Sequence, residues 1–243
     1  MWKVLGGSVA GRTHLARSLP CQDASGWHVY GEWACLAVAD GAGSREHSDV
    51  GARAAVAAVL EWAASLAGEP QLEGLRDAFE AARTALQESA TLAGSQADEL
   101  ACTLAVAVVS DGALLLGQVG DTLAFVRDSQ GDTHTIAPPD RAEHINETTF
   151  LTSEQWPDTL RLAALNDTSV DSIALATDGL QLKILADVLD STPYLPFFED
   201  VFAWASSDAG ETEGLLAFIE QLDDQTGDDK SLLLAVKDQT QRT

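Results

Sequence analysis

The chain has 243 residues, 38 acidic and 14 basic, for a formal net charge of -24; 46% are hydrophobic and 21% charged. That length and composition exclude a disordered chain and favour one large domain with a sizeable core. The charge argues against nucleic acid and anionic membrane as partners, because both are polyanions that need lysine and arginine to neutralise them.

The opening Met1-Trp2-Lys3-Val4-Leu5-Gly6-Gly7 has no basic region followed by a long apolar one. No apolar run approaches the roughly 18–20 residues of a bilayer span. Cys21, Cys35 and Cys102 show no paired spacing, which suits neither a disulfide framework nor a zinc site and fits a reducing cytosol. A cytoplasmic location is therefore expected.

In chain order, Ala34 to Ala39 reads as a strand. Two helices follow. Asp49 to Leu66 has Ser48 available as N-cap and Gly68 as a stop, and Leu72 to Ala93 carries Leu75, Phe79, Ala82 and Leu86 at helical spacing. Strands are predicted over Ala101 to Val109, Ala113 to Val119 and Leu123 to Arg127. Residues 128–160 are polar and carry Pro138-Pro139, His134 and His144, with only Thr149-Phe150-Leu151 to bury. This stretch reads as a long, flap-like loop, and loops of that length tend to be functional or mobile. A strand from Ile173 to Thr177 follows, then helices over Leu180 to Leu189, Pro196 to Ser206 and Glu213 to Leu222, and a last strand from Ser231 to Val236. Neighbouring strands joined by tight turns are antiparallel, so the expected class is α+β in layers, as one continuous domain over residues 1–243.

The informative pattern is aspartate at the end of an apolar run, followed by glycine: Asp40-Gly41, Asp111-Gly112 and Asp178-Gly179, with Gly120-Asp121 and Gly227-Asp228-Asp229 as relatives. Asp111-Gly112 has strand-like residues on both sides and reads as a two-residue hairpin turn with positive φ at both positions. Asp40 and Asp178 are followed by helical patterns instead. A carboxylate at a strand end, beside a glycine carbonyl, is an exposed oxygen donor. Several such donors converging would suit a hard cation such as Mg²⁺ or Mn²⁺.

Five motifs occur in series: Pro20-Cys21-Gln22-Asp23; Val38-Ala39-Asp40-Gly41-Ala42-Gly43; Thr103-Leu104 with Val119-Gly120-Asp121-Thr122-Leu123-Ala124; Thr177-Asp178-Gly179-Leu180; and Asp228-Asp229-Lys230-Ser231. In this order they resemble the metal-dependent serine/threonine protein phosphatases of the 2C type, in their compact bacterial form. The resemblance implies a four-layer αββα sandwich, two antiparallel sheets flanked by helices, with a dinuclear Mg²⁺ or Mn²⁺ site at one end of the sheets. Carried over by position, Asp40 would bridge the two ions and Asp178 and Asp228 would complete the first. The carbonyl of Gly41 and a water-mediated side chain would serve the second. Gln22 stands where the family has glutamate, so that contact falls to Gln22 or to Asp23. Asp121 would share a third, weaker ion with Asp178.

The implied reaction is hydrolysis of phosphoserine or phosphothreonine in a phosphoprotein by a water held between the two ions. The implied setting is opposition to a serine/threonine kinase. The arginine that grips substrate phosphate has three candidates here, Arg12, His14 and Arg17, and Ala42 stands where some eukaryotic members carry a histidine. The alternative is a catalytically silent module of the same fold that binds a phosphoprotein or a kinase. Against it, three mutually repelling carboxylates, Asp40, Asp178 and Asp228, have no physical reason to persist without a cation.

Overall fold

Along the strand Trp33–Ala39 every residue is buried, and alternate side chains join different apolar clusters: Ala34, Leu36 and Val38 one, Cys35, Ala37 and Ala39 another. Lys230–Lys237 divides in the same way, with Leu232, Leu234 and Val236 on one face and Leu233 and Ala235 on the other. Side chains alternate faces along a strand, so a strand apolar on both faces must be covered on both. These two strands are therefore interior layers of a stack.

The computed structural model describes residues 1–137, 148–166, 170–222 and 226–237. The elements run β1 (Trp2–Val9), α1 (Arg12–Arg17), β2 (Ala24–Tyr30), β3 (Trp33–Ala39), α2 (Ser48–Ser65), α3 (Leu75–Ala93), β4 (Leu104–Ser110), β5 (Ala113–Val119) and β6 (Leu123–Asp128). They continue with β7 (Thr133–Thr135), α4 (Trp156–Thr159), β8 (Arg161–Asn166), β9 (Val170–Ala176), α5 (Gln181–Ile184), β10 (Leu185–Asp187), β11 (Thr192–Pro193), α6 (Leu195–Ala205), α7 (Thr212–Gln221) and β12 (Lys230–Lys237). One five-stranded sheet has the order β1-β12-β9-β6-β7 and the other β2-β3-β4-β5-β8. Every pairing within them is antiparallel. Three apolar cores lie between four layers. Helices α2 and α3 pack on the second sheet through Phe79, Leu86 and Val106, and the sheets face each other across Leu36, Leu116, Leu175 and Leu233. Helices α6 and α7 cover the first sheet through Phe198, Phe202 and Leu215. The expected α+β sandwich of two antiparallel sheets flanked by helices is what forms.

Four local expectations are corrected. Leu180 to Leu189 is not one helix. A 3₁₀ turn (Asp178–Leu180) and α5 give way to β10, because Asp187 Oδ1 accepts the amides of Leu189 at 2.9 Å and Asp190 at 3.3 Å and turns the chain. Ser48 is the first residue of α2 and not its cap; its hydroxyl donates back to the Arg45 carbonyl. At the Asp111-Gly112 turn Ser110 pairs with Ala113, but only Gly112, at φ 92°, has positive φ. Residues 128–160 are not all loop. They include β7 and α4, and they bury Leu151 and Trp156 against α3. Pro138-Pro139 and His144 lie outside the described residues.

Strands β1, β2 and β8 had no sequence signal, since each mixes glycine or polar residues into a half-buried pattern. All three lie at sheet edges, where one flank needs no partner.

Phe79 is fully buried and stacks near Trp156 with ring centroids 6.4 Å apart. Phe79→Ala is expected to cost about 3–5 kcal/mol of unfolding free energy, measured by denaturant titration. A cost below about 1 kcal/mol would mean that α3 does not close this core as described.

Candidate active site

The strand register decides which sequence motifs meet. Ala176 of β9 pairs with Leu232 of β12 and with Leu123 of β6, so Thr177-Asp178, Asp228-Asp229 and Asp121-Thr122 lie at neighbouring strand ends. β5 and β6 belong to different sheets, and Gly120-Asp121-Thr122 is the crossing between them. Asp40 follows β3 directly. Its amide donates to Thr103 Oγ1 at 3.0 Å, and its carbonyl accepts the Thr103 amide at 2.8 Å. The Gly41 amide donates to the Gln22 carbonyl at 3.1 Å, and a Cβ at Gly41 would stand 2.6 Å from that oxygen. Only glycine admits this approach.

The carboxyl groups so collected act on one another. Asp40 is held well above the usual carboxylate range, first by burial and then by the charges of Asp23, Asp178, Asp121 and Asp228. Asp178 is raised to about 6 by burial and by Asp121 and Asp228, and its side chain is within hydrogen-bonding reach of Asp40. Asp121 is half-buried and accepts a hydrogen bond from Thr148 Oγ1 at 2.9 Å. Asp228 is exposed, and its Oδ1 accepts the Asp229 amide at 2.9 Å.

Asp23 is fully inside. Burial raises it to about 8, although Thr177 Oγ1 at 2.7 Å and Ser231 Oγ at 2.8 Å both donate to its Oδ2 and oppose the rise. Gln22 Nε2 donates to the Arg45 carbonyl, while Gln22 Oε1 is buried with no hydrogen-bond partner. A Cβ at Gly43 would stand 3.9 Å from that oxygen.

The basic candidates separate. His14 is turned inward, its Nδ1 2.7 Å from Asp229 Oδ1, whereas Arg12 and Arg17 are exposed on α1. The same carboxylate accepts the amides of Gly11 at 2.7 Å and Gln22 at 2.6 Å, so Asp229 fastens α1 and the Gln22 segment to the start of β12. A Cβ at Gly179 would stand 1.9 Å from the Asp229 carbonyl, which places Asp178 against this same knot.

Reading the sequence for metal ligands missed the groups that hold them. Thr177, Ser231 and Asp229 each sit next to or within a quoted motif, and adjacency was their only signal. Thr148 had none.

The donor set fits hard, hydrated cations. It is all oxygen, rich in carboxylate and crowded with like charge. It also includes an unpartnered amide oxygen, Gln22 Oε1, at the position where the resemblance calls for a water-mediated contact. Among the described residues, Asp128, Asp132 and His134 are the one group of three potential ligands whose atoms all lie within 4.8 Å. That group is on the β6–β7 hairpin, where Asp128 Oδ1 accepts the amides of Gln130 and Asp132. No three of the strand-end aspartates approach one another so closely, so a cation among them would complete its shell with water.

In the metal-free protein the raised carboxyls bind more protons than they do in the unfolded chain between about pH 4 and pH 8. Stability therefore falls as pH rises through that interval. The melting temperature of chelated protein is expected to drop between about pH 5 and pH 8, and Mn²⁺ or Mg²⁺ is expected to reverse the drop. A chelated melting temperature flat across this range would show that these groups ionise as in the unfolded chain.

Comparison with known proteins bears on the family and the fold. The family model described as protein phosphatase 2C matches residues 10–220. Serine/threonine-protein phosphatase 3 of Escherichia coli (strain K12) is 29% identical over 255 residues, covering 97% of this chain and 98% of the relative. Among solved structures, a bacterial serine phosphatase superposes with a TM-score of 0.69 at 17% identity, covering 97% of this chain and 98% of that one. Serine/threonine phosphatase Stp1 from Staphylococcus aureus gives 0.69 at 16% identity over 98% and 95% of the two chains. RsbX in complex with magnesium gives 0.63 at 13% identity over 97% and 94%. The structural likenesses share the fold, and the family match spans most of the sequence: the chain belongs to the protein phosphatase 2C family.

Proposed function

We propose that this chain is a metal-dependent serine/threonine phosphoprotein phosphatase, using Mg²⁺ or Mn²⁺, as one domain over residues 1–243. The observation that carries the reading is the convergence of Asp40, Asp121, Asp178 and Asp228 at the ends of β3, β5, β9 and β12, where burial and mutual repulsion raise Asp40 and Asp178. Burying like charges together is costly unless a cation joins them.

Asp40, Asp178 and Asp228 would hold the first ion. Asp40, the Gly41 carbonyl and Gln22 or Asp23 would hold the second, and Asp121 with Asp178 a weaker third. Bound there, such ions lower the pKa of a water and clamp phosphoryl oxygens for in-line displacement. The chain's own part is positional. Thr103 fixes both backbone groups of Asp40, Asp229 fixes the segment before Gln22, and Thr148 steadies Asp121. Arg12, exposed beside Gly11, and Arg17, exposed at the far end of α1, are the candidate contacts for a substrate phosphate. His14 is engaged by Asp229.

The substrate side is a phosphoprotein, and a serine/threonine kinase is the proposed counterpart. No described helix is long and apolar enough to cross a membrane, in keeping with the proposed cytoplasmic setting. The silent-module alternative is not favoured, because Asp40, Asp178 and Asp228 are all present and the family match spans most of the chain.

Hydrolysis of aryl phosphate and of phosphothreonine peptide is expected only with Mn²⁺ or Mg²⁺; full turnover after exhaustive chelation would overturn the proposal. Asp40→Asn, Asp178→Asn and Asp228→Asn are each expected to lower kcat by at least about a hundredfold while leaving the circular dichroism spectrum unchanged. The chelated melting temperature is expected to rise in Asp40→Asn, since one repelling group is gone. Asp111→Asn, on the hairpin, is the control and is expected to retain activity. Asp121→Asn is expected to slow phosphopeptide turnover while calorimetry still shows tight metal binding; loss of tight metal would place Asp121 among the primary ligands.

A further inference from the structure

Far from the aspartate cluster in the layer order, the outer helices on the first sheet leave an opening. Between α6 and α7 lies a cavity of about 460 Å³ whose walls are Phe197, Val201, Trp204, Leu215 and Phe218, with Asp200 at its lip. The rings of Phe197 and Phe218 lie 6.2 Å apart at 28°, one on each helix, and Phe218 is 43% exposed. Tyr194 and Leu195, at the start of α6, add further exposed apolar surface at 47% and 48%. Exposed apolar surface around a concave aromatic wall is unusual on a monomer's outside and marks a contact site.

The charge carried by the helices themselves is acidic, while Lys3 of β1 donates to the Ser207 carbonyl at 2.8 Å just after α6. Between residues 195 and 221 the chain carries Glu199, Asp200, Asp208, Glu211, Glu213 and Glu220, and no lysine, arginine or histidine. All six are exposed. An apolar wall with Asp200 at its lip, on a stretch of chain whose own charges are all acidic, matches a ligand that is apolar at its centre and cationic at its flanks, because basic side chains lay their alkyl stems on aromatic faces while their charges reach the acids. A second copy of this chain is a poor fit, since each copy carries a net charge of -24.

We propose that the α6–α7 cavity docks a basic peptide segment bearing one large apolar side chain. The apolar side chain fills the cavity between Trp204 and Phe218, and the flanking lysines or arginines face Asp200 and Glu213. Its use in bringing phosphoproteins to the enzyme rests on the phosphatase reading, whereas the binding itself does not. That use has a physical motive. A phosphorylated segment is anionic and the enzyme is strongly acidic, so a basic segment on the same substrate offsets the repulsion and holds the phosphate at high local concentration.

The test uses the full chain and a fluorescein-labelled peptide of arginine, lysine and serine with one central phenylalanine, read by anisotropy. Binding is expected to weaken at least about tenfold when phenylalanine is replaced by serine at unchanged charge, and to weaken with salt. Ala209→Trp, an exposed lip position, plugs the cavity, and Asp200→Lys reverses the charge at its mouth. Both are expected to lose binding by at least about tenfold while hydrolysing aryl phosphate as the parent does. A phosphothreonine peptide extended by the docking segment is expected to show a lower KM in the parent only.

Equal binding by Ala209→Trp, or no preference for the phenylalanine peptide, would overturn the proposal. So would concentration-dependent dimerisation abolished by Ala209→Trp, which would assign the cavity to a second copy. If the parent fails to hydrolyse aryl phosphate, the phosphatase reading falls while the anisotropy result still decides the docking site.

Discussion

Like charges gathered at the edge of an apolar stack are the constraint on which this structure turns. Asp40 sits one residue beyond a strand whose seven residues are all buried, and the strongest electrostatic influences on it are other carboxylates. Left to itself such a cluster would favour opening the strand ends towards water. The three apolar cores oppose this by fixing every strand in register, so the ends have nowhere to move without unpacking a sheet. The site is thus rigid because the layers behind it are, and its unfavourable electrostatics are the affinity a cation would draw on.

Holding the aspartates together takes a second set of polar groups, directed inward. Asp229 accepts the amides of Gly11 and Gln22, with His14 Nδ1 2.7 Å from its Oδ1, and so holds α1 and the Gln22 segment at the start of β12. Asp23 does the same for Thr177 and Ser231 across β9 and β12. Lys230 is buried beside them, and its Nζ donates to the Leu222 carbonyl at 2.9 Å, at the C-terminal end of α7 where a cation complements the helix dipole. One strand start therefore carries an exposed candidate ligand, Asp228, a clamp, Asp229, and a helix cap, Lys230. That concentration of roles falls on three consecutive polar residues where the chain enters the apolar run of β12.

The surface charge and the site chemistry pull in opposite directions. An acidic molecule attracts divalent cations to its carboxylates but repels the phosphorylated segment it is to act upon. The exposed arginines belong to α1, which follows β1, and Asp200 at the lip of the α6–α7 cavity belongs to the helices covering the first sheet.

What the sequence determined by itself was the material of the site and the apolar strands that carry it. Asp40-Gly41, Asp178-Gly179 and Asp228-Asp229 stand out because a charged residue bordering an apolar run is a local event, visible without partners. The strands β3 to β6, β9 and β12 and the helices α2 and α3 were legible for the same reason, since their periodicity is written along one segment. Edge strands such as β2 and β8 were not, because their pairing stabilises residues that have no apolar pattern of their own. The end of α5 was not either, because the turn at Asp187 outweighs the helical spacing around it. Only the tertiary structure decided that His14 turns inward to Asp229 and that Gln22 Oε1 is left without a partner. It alone decided that Asp121 meets Thr148 from the stretch that read as a flap-like loop. Each of these is a contact between segments distant in the chain, and the register of two sheets sets their distance and direction.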